Sequence, residues 1–150
     1  MIRGLFIFLT SLLLTGELFP QNIDPDSLLT ELSTHSGEEK IGLLFQLSEV
    51  FTERNPDSAF LFAQEAYELS ESMANPGMMA EAQVQLGRLH SFYYDRERAL
   101  VHYRNALELY KQTGDEDKLA KTNNNLSQIH YSLNQLEEAL DHAMIALRIA

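Results

Sequence analysis

Written in lines of forty residues, the sequence places Ala59, Ala99 and Ala139 under one another, and Ala66, Ala106 and Ala146 likewise. Upstream of each pair, an aliphatic residue precedes a small one: Leu47-Ser48, Leu86-Gly87 and Leu126-Ser127, spaced by thirty-nine and then forty. A unit this short cannot bury its own apolar face. It is stable only when copies stack, so the chain is committed to an array of repeats rather than a closed globule.

Each copy reads as two helices. Val84, Leu86, Leu89 and Phe92 recur at mixed three- and four-residue spacing, which predicts a helix from Ala80 to about Tyr93. Asp95-Arg96-Glu97-Arg98 reads as the turn after it. Ala99, Leu100, Tyr103, Ala106, Leu107 and Tyr110 then share one side of the next helix, which Thr113-Gly114-Asp115 breaks. Asn55-Pro56-Asp57 supplies an N-cap with proline at the first helical position, and Asn75-Pro76-Gly77 reads as a helix stop. Asp24-Pro25-Asp26-Ser27 opens a short capping helix through Leu32, joined to the repeats by Ser36-Gly37. The small residues have a physical reason, because helices crossing at close range need Gly, Ala or Ser where they meet. Gly87 in mid-helix costs about 1 kcal/mol relative to alanine, and close approach is what makes it worth having there.

These positions resemble the tetratricopeptide-repeat (TPR) family. Its pattern sets a large apolar residue before a small one in the first helix, then Ala, an aromatic and Ala in the second. Here those are Leu86, Gly87, Ala99, Tyr103 and Ala106; Leu126, Ser127, Ala139, Ala143 and Ala146; and Leu47, Ser48, Ala59, Ala63 and Ala66. The frequent tryptophan of the first helix is absent, with Leu44, Gln83 and Asn123 in its place, and Glu71 and Lys111 stand where a proline is common. The period is about forty instead of the usual roughly thirty-four. The resemblance covers residues 39–150, divided near 39–78, 79–118 and 119–150 with the last repeat incomplete, after a capping helix and linker over 22–38.

What the resemblance implies is an all-α solenoid of about three helical hairpins in a right-handed superhelix. Its first helices would line a concave groove that holds a protein or peptide. The lining positions would be Phe45, Glu49 and Thr52, then Val84, Arg88 and Ser91, then Lys121, Asn124, Gln128 and Tyr131. Chaperone-docking members of the family clamp a C-terminal carboxylate with Lys and Asn side chains. Glu49 and Glu53 would repel one, so a mixed or basic ligand is the expectation.

The formal net charge of −11 argues against a nucleic-acid partner, which would need clustered Lys and Arg. With no cysteine there is no disulfide, thiolate or Cys-type zinc chemistry. His90 and His130 lie forty apart, as do His102 and His142, so the histidines occupy equivalent places on successive repeats and do not converge on one ion; His35 falls in a linker. No phosphate-binding glycine loop, nucleophile elbow or zinc-protease helix motif occurs. Asp115-Glu116-Asp117 lacks the alternating ligands of a calcium loop, and the triplet Asn125-Leu126-Ser127 lies within a predicted helix. The expectation is therefore no catalytic residue, metal, cofactor or small-molecule substrate.

Met1-Ile2-Arg3 is a basic start before the apolar run Leu5–Leu14, too short to cross a bilayer of about 30 Å. It reads as a secretory signal, cleaved between Gly16 and Gln21 or kept as an anchor over residues 4–16; the alternative is a buried N-terminal helix. Export to the periplasm or cell envelope follows from the first reading. Loss of residues 1–21 removes Arg3 and Glu17 together, leaving the net charge at −11. At the other end, a helix beginning near Glu137 still runs at Ile149-Ala150, with no polar helix to cover its apolar side. Self-association or further chain would cover it. Chains that join such a start to forty-residue repeats are similar to the sensor regions of bacterial signalling proteins, in which a membrane helix and a kinase, cyclase or DNA-binding domain follow. The alternative role is thus the extracytoplasmic part of a longer membrane signalling protein.

Overall fold

Helix caps decide where this chain turns. The computed structural model describes residues 24–149, and the signal or anchor segment lies outside them. Seven helices follow: α1 (Pro25–Leu32), α2 (Gly37–Phe51), α3 (Pro56–Ser72), α4 (Pro76–Phe92), α5 (Arg96–Thr113), α6 (Glu116–Ser132) and α7 (Leu136–Ile149). Pro25, Pro56 and Pro76 each begin a helix, where a missing N–H costs nothing, behind Asp24, Asn55 and Asn75, whose side chains accept first-turn N–H groups. Asn75-Pro76-Gly77 is therefore a start as well as the stop expected from sequence, and α4 begins four residues before Ala80. Likewise Asp95 alone caps α5, accepting from the N–H of Arg98 at 3.2 Å, so Arg96–Arg98 form its first turn and not a loop.

The turns are short because one residue serves two helices. Asp95 N–H donates back to His90 O at 2.8 Å, closing α4, while its carboxylate opens α5. Gln135 N–H donates to His130 O at 2.9 Å and Asn75 N–H to Ser70 O at 3.1 Å in the same way. The preceding residues, Ala74, Tyr94 and Asn134, carry the left-handed backbone such a closure needs, with φ of 50°, 63° and 60°. Helices of 15 to 18 residues in α2–α6 take up the extra length of the repeat; the turns do not.

The chain is an all-α helical-repeat solenoid among the described residues, with hairpins α2–α3, α4–α5 and α6–α7 stacked in order and α1 against α2. Its interior is a row of small clusters, not one core. Leu28 of α1 meets Leu43 and Leu47; Ala59 and Ala63 meet Leu86 and Leu89; Ala99, Leu100, Tyr103 and Leu107 meet Leu126 and Ile129. Each cluster joins a hairpin only to the elements stacked directly on it, as a quasi-one-dimensional array requires. Leu47, Ser48, Ala59, Ala66, Leu86, Ala99, Tyr103, Ala106, Leu126, Ala139 and Ala146 are all buried, and Ser127 is half-buried.

At Gly87 the close neighbour is a ring and not a backbone. A Cβ there would stand 2.9 Å from Cδ1 and Cε1 of Tyr103. At the equivalent positions the other hairpins carry Ser48 with Ala63 and Ser127 with Ala143, a small side chain in place of the glycine and none of the ring. Ser127 also donates to Ala139 O at 2.7 Å across its hairpin.

Candidate functional site

Residues four apart on a helix share a face, so Phe45 and Glu49 of α2 point together, as do Val84 and Arg88 of α4. These four, with Gln46, Glu81, Gln85 and Tyr110, enclose a concavity of about 260 Å³ between the first helices of adjacent hairpins. Its wall is a chain of polar contacts. Gln85 Nε2 donates to Ser48 Oγ at 3.1 Å, and Arg88 donates to Gln85 Oε1 at 3.4 Å and to Glu49 Oε1 at 3.1 Å. Lys118 of α6 pairs with Glu81 and lies 5.7 Å over the Tyr110 ring. Burial, and secondarily Asp115, raises the Tyr110 phenol above its ordinary range, so the floor stays neutral.

Glu49 is therefore not a free acidic charge. Arg88 neutralises it locally, and the concavity presents paired charges around an apolar floor of Phe45, Val84 and Tyr110. The Arg88–Glu49 pair is well exposed and so worth at most about 1 kcal/mol of stability. An incoming group can replace either partner at little cost.

The other proposed lining residues lie elsewhere. Thr52 caps α2, its hydroxyl on Ser48 O at 2.9 Å and its carbonyl accepting from the Tyr93 hydroxyl. Ser91 is half-buried near the end of α4. Lys121 is exposed and paired with Asp117 at 2.6 Å, and Asn124 is exposed. Gln128 and Tyr131 border a second concavity of about 350 Å³, shared with Leu136, Ala139, Leu140 and Ala143. Gln46, Glu81, Gln85 and Tyr110 were not among the expected lining positions, although Gln46 and Gln85 recur at the thirty-nine-residue spacing of Leu47 and Leu86.

A polar cluster that the forty-residue spacing did not reveal lies between the helices of each later hairpin. His90 and His102 stack with centroids 5.1 Å apart and planes 10° from parallel; His130 and His142 stack at 5.3 Å and 16°. His102 Nδ1 bonds Gln83 Oε1 at 2.8 Å, and His142 Nδ1 bonds Asn123 Oδ1 at 2.9 Å. His130 Nδ1 bonds Gln135 Oε1 at 2.7 Å, which leaves its buried Nε2 without a partner among the described residues. In the first hairpin the same places hold Leu44, Phe51 and Phe62, the two rings 5.6 Å apart. The amide and histidines thus replace an apolar trio. The rings that stack are partners within one hairpin. Among the described residues no three His, Asp or Glu side chains gather where they could hold a metal ion.

The stacked pairs should make the fold acid-sensitive. Burial first, then the facing His90 and Arg98, holds His102 below its ordinary value; burial, His130 and Arg104 do the same to His142. Burial lowers His90 as well, against the pull of Asp95. An unfolded histidine takes up its proton near about pH 6.5. Stability from the neutral rings is thus complete above that pH and is lost as pH falls through it toward the depressed folded values. The melting temperature should fall between pH 7.5 and pH 5, and the triple variant Gln83→Leu, His90→Phe, His102→Phe, which copies the first hairpin, should fall less. Equal losses in both proteins would show that other groups govern the acid limb.

The tetratricopeptide repeat family model matches residues 78–150, beginning two residues into α4. Among solved structures, that of BtubC (BKLC) from P. vanneervenii is similar over 83% of this chain, with 19% identity and a TM-score of 0.70. The match takes in 52% of that chain, so this protein spans about half the length of that neighbour. At that identity the likeness shows the fold alone. No curated protein matches the chain. Tetratricopeptide repeats generally mediate protein–protein interaction, and the fold is typically a non-catalytic scaffold.

Proposed function

We propose that this chain is a non-catalytic scaffold that binds a peptide or protein partner along its first helices, centred on the concavity between α2 and α4. The observation that carries this reading is the convergence of Phe45, Glu49, Val84 and Arg88, from two different hairpins, on one concave site. An apolar floor with a few convergent polar groups is the usual make-up of a recognition site. Phe45 and Val84 would take an apolar side chain of the ligand. Gln46 and the exposed Glu49–Arg88 pair would meet its polar or charged neighbours, so the ligand is of mixed character and need be neither acidic nor basic overall. Export, resting on the basic start and apolar run of residues 1–14, belongs to the same proposal and would put this site outside the cytoplasm.

The test is selection. A random peptide library displayed on phage and panned on the 150-residue chain should enrich sequences with an apolar residue flanked by polar ones. A synthetic peptide from that pool should lose roughly tenfold or more in affinity on Gln46→Arg and on Arg88→Glu. Both side chains are exposed, so neither change threatens the fold. No enrichment, or binding indifferent to both substitutions, would sink the proposal.

A further inference from the structure

The second helix of each hairpin buries one face under the next hairpin, and α7 has that face bare. In α5, Leu100 and Leu107 are 8% and 9% exposed because α6 lies on them with Leu126 and Ile129. Forty residues on, Leu140 and Leu147 are 60% and 81% exposed. The face is also wider than its counterpart. Where α5 carries Arg96 and Arg104, α7 carries Leu136 and Met144, exposed at 58% and 46%. At those two places the preceding hairpin tolerates arginine beside its covering helix. A cover reaching over Leu136 and Met144 therefore contacts more of α7 than α6 contacts of α5.

We propose that the occupant is α7 of a second copy of this chain, packed antiparallel about a two-fold axis near Ala143. Helical geometry with about 3.6 residues per turn puts Leu136, Leu140, Ala143, Met144 and Leu147 on one stripe. In an antiparallel pairing centred near position 142, Leu136 meets Leu147 of the partner subunit and Leu140 meets Met144 of the partner subunit. The small Ala143 lies beside the axis, which allows close approach there. The charges agree with this arrangement. Glu137 and Arg148 flank the stripe on the same side at opposite ends of α7. Antiparallel helices face like flanks to one another, so Glu137 lies opposite Arg148 of the partner subunit, and symmetry makes the pair twice. A parallel pairing would face opposite flanks to one another, separate Glu137 from Arg148 of the partner subunit and lose both pairs. The dip beside α7, bounded by Tyr131 and Gln128, gives the partner's leucines about 350 Å³ to enter. This surface is separate from the α2–α4 concavity and stands or falls without it.

Light scattering on the 150-residue chain, run over a concentration series, should give twice the 17.1 kDa of one chain at the upper end. Leu140→Glu and Leu147→Glu should each return it to a monomer with unchanged helicity, since both side chains are exposed in the single chain. Arg148→Glu should weaken association by roughly tenfold or more, and adding Glu137→Arg should restore it. A monomer at every concentration would overturn the proposal and leave the face to another polypeptide or to further chain. So would association that survives Leu140→Glu, which would place the contact elsewhere, or an Arg148→Glu that changes nothing or is not rescued by Glu137→Arg.

Discussion

Truncating Leu126 to alanine is expected to lower the unfolding free energy by about 2–5 kcal/mol, as deletion of a fully buried leucine does. Leu126 has no exposed surface and sits among Ala99, Leu100, Tyr103, Leu107 and Ile129, the cluster that joins the second and third hairpins. In a stacked array the neighbour interface is the main tie between one hairpin and the next. The loss should thus fall on one joint, and urea unfolding followed by circular dichroism should show the transition shifting and broadening as α6–α7 uncouples. Leu61→Ala is the control. That leucine is 63% exposed, and its truncation should cost no more than about 0.5 kcal/mol. Equal effects at the two leucines would mean that the joint is not where the third hairpin gets its stability.

Tyr103→Ala should cost about 3–5 kcal/mol, the range for a buried aromatic, because its ring fills the space that Gly87 leaves empty. Gly87→Ser should be destabilising as well. The substitution favours the helix, but its Cβ would stand 2.9 Å from a ring that buried neighbours hold in place, and overpacking of that kind costs about 1–3 kcal/mol. The double variant Gly87→Ser, Tyr103→Ala recreates the serine–alanine pairing of Ser127 with Ala143. It should therefore be more stable than the sum of its parts by about 1 kcal/mol or more in a double-mutant cycle. Strict additivity would mean that the two positions do not share one space, and the volume account of the repeat would fail.

The acid sensitivity expected of the histidine pairs differs in kind from these losses. It follows from replacing an apolar trio, Leu44, Phe51 and Phe62, with an amide and two imidazoles in the same places. The first hairpin can therefore serve as the template that removes the effect from the second.

Much of the fold was legible in the residues themselves. The forty-residue recurrence of alanines and of Leu86-Gly87-type pairs marked the hairpins, and apolar spacing marked the faces of α4 and α5. Capping chemistry was legible too, but its direction was not. Asn75-Pro76 terminates and initiates with the same residues, and Asp95 closes α4 with its N–H while opening α5 with its carboxylate. A punctuation mark between two helices looks the same from either side.

The binding surface was less legible, because its make-up depends on which side chains meet across helices. Of the ten lining positions, four meet in the α2–α4 concavity and two border the dip beside α7. Arg88 reaching Glu49, the Tyr103 ring seated on Gly87 and His90 stacked on His102 could not be read from spacing. Periodicity along a helix is local: 3.6 residues and 1.5 Å per residue fix which side chains share a face, whatever lies beyond it. The rotation and register of one helix against the next are set by a three-residue turn whose middle residue is left-handed, as at Ala74, Tyr94 and Asn134. A shift of one residue in such a turn rotates the next helix by about 100° and changes every cross-helix neighbour. Sequence alone determined that the chain forms paired helices with apolar faces and must stack them. Only the tertiary structure decided which side chains those faces bring together.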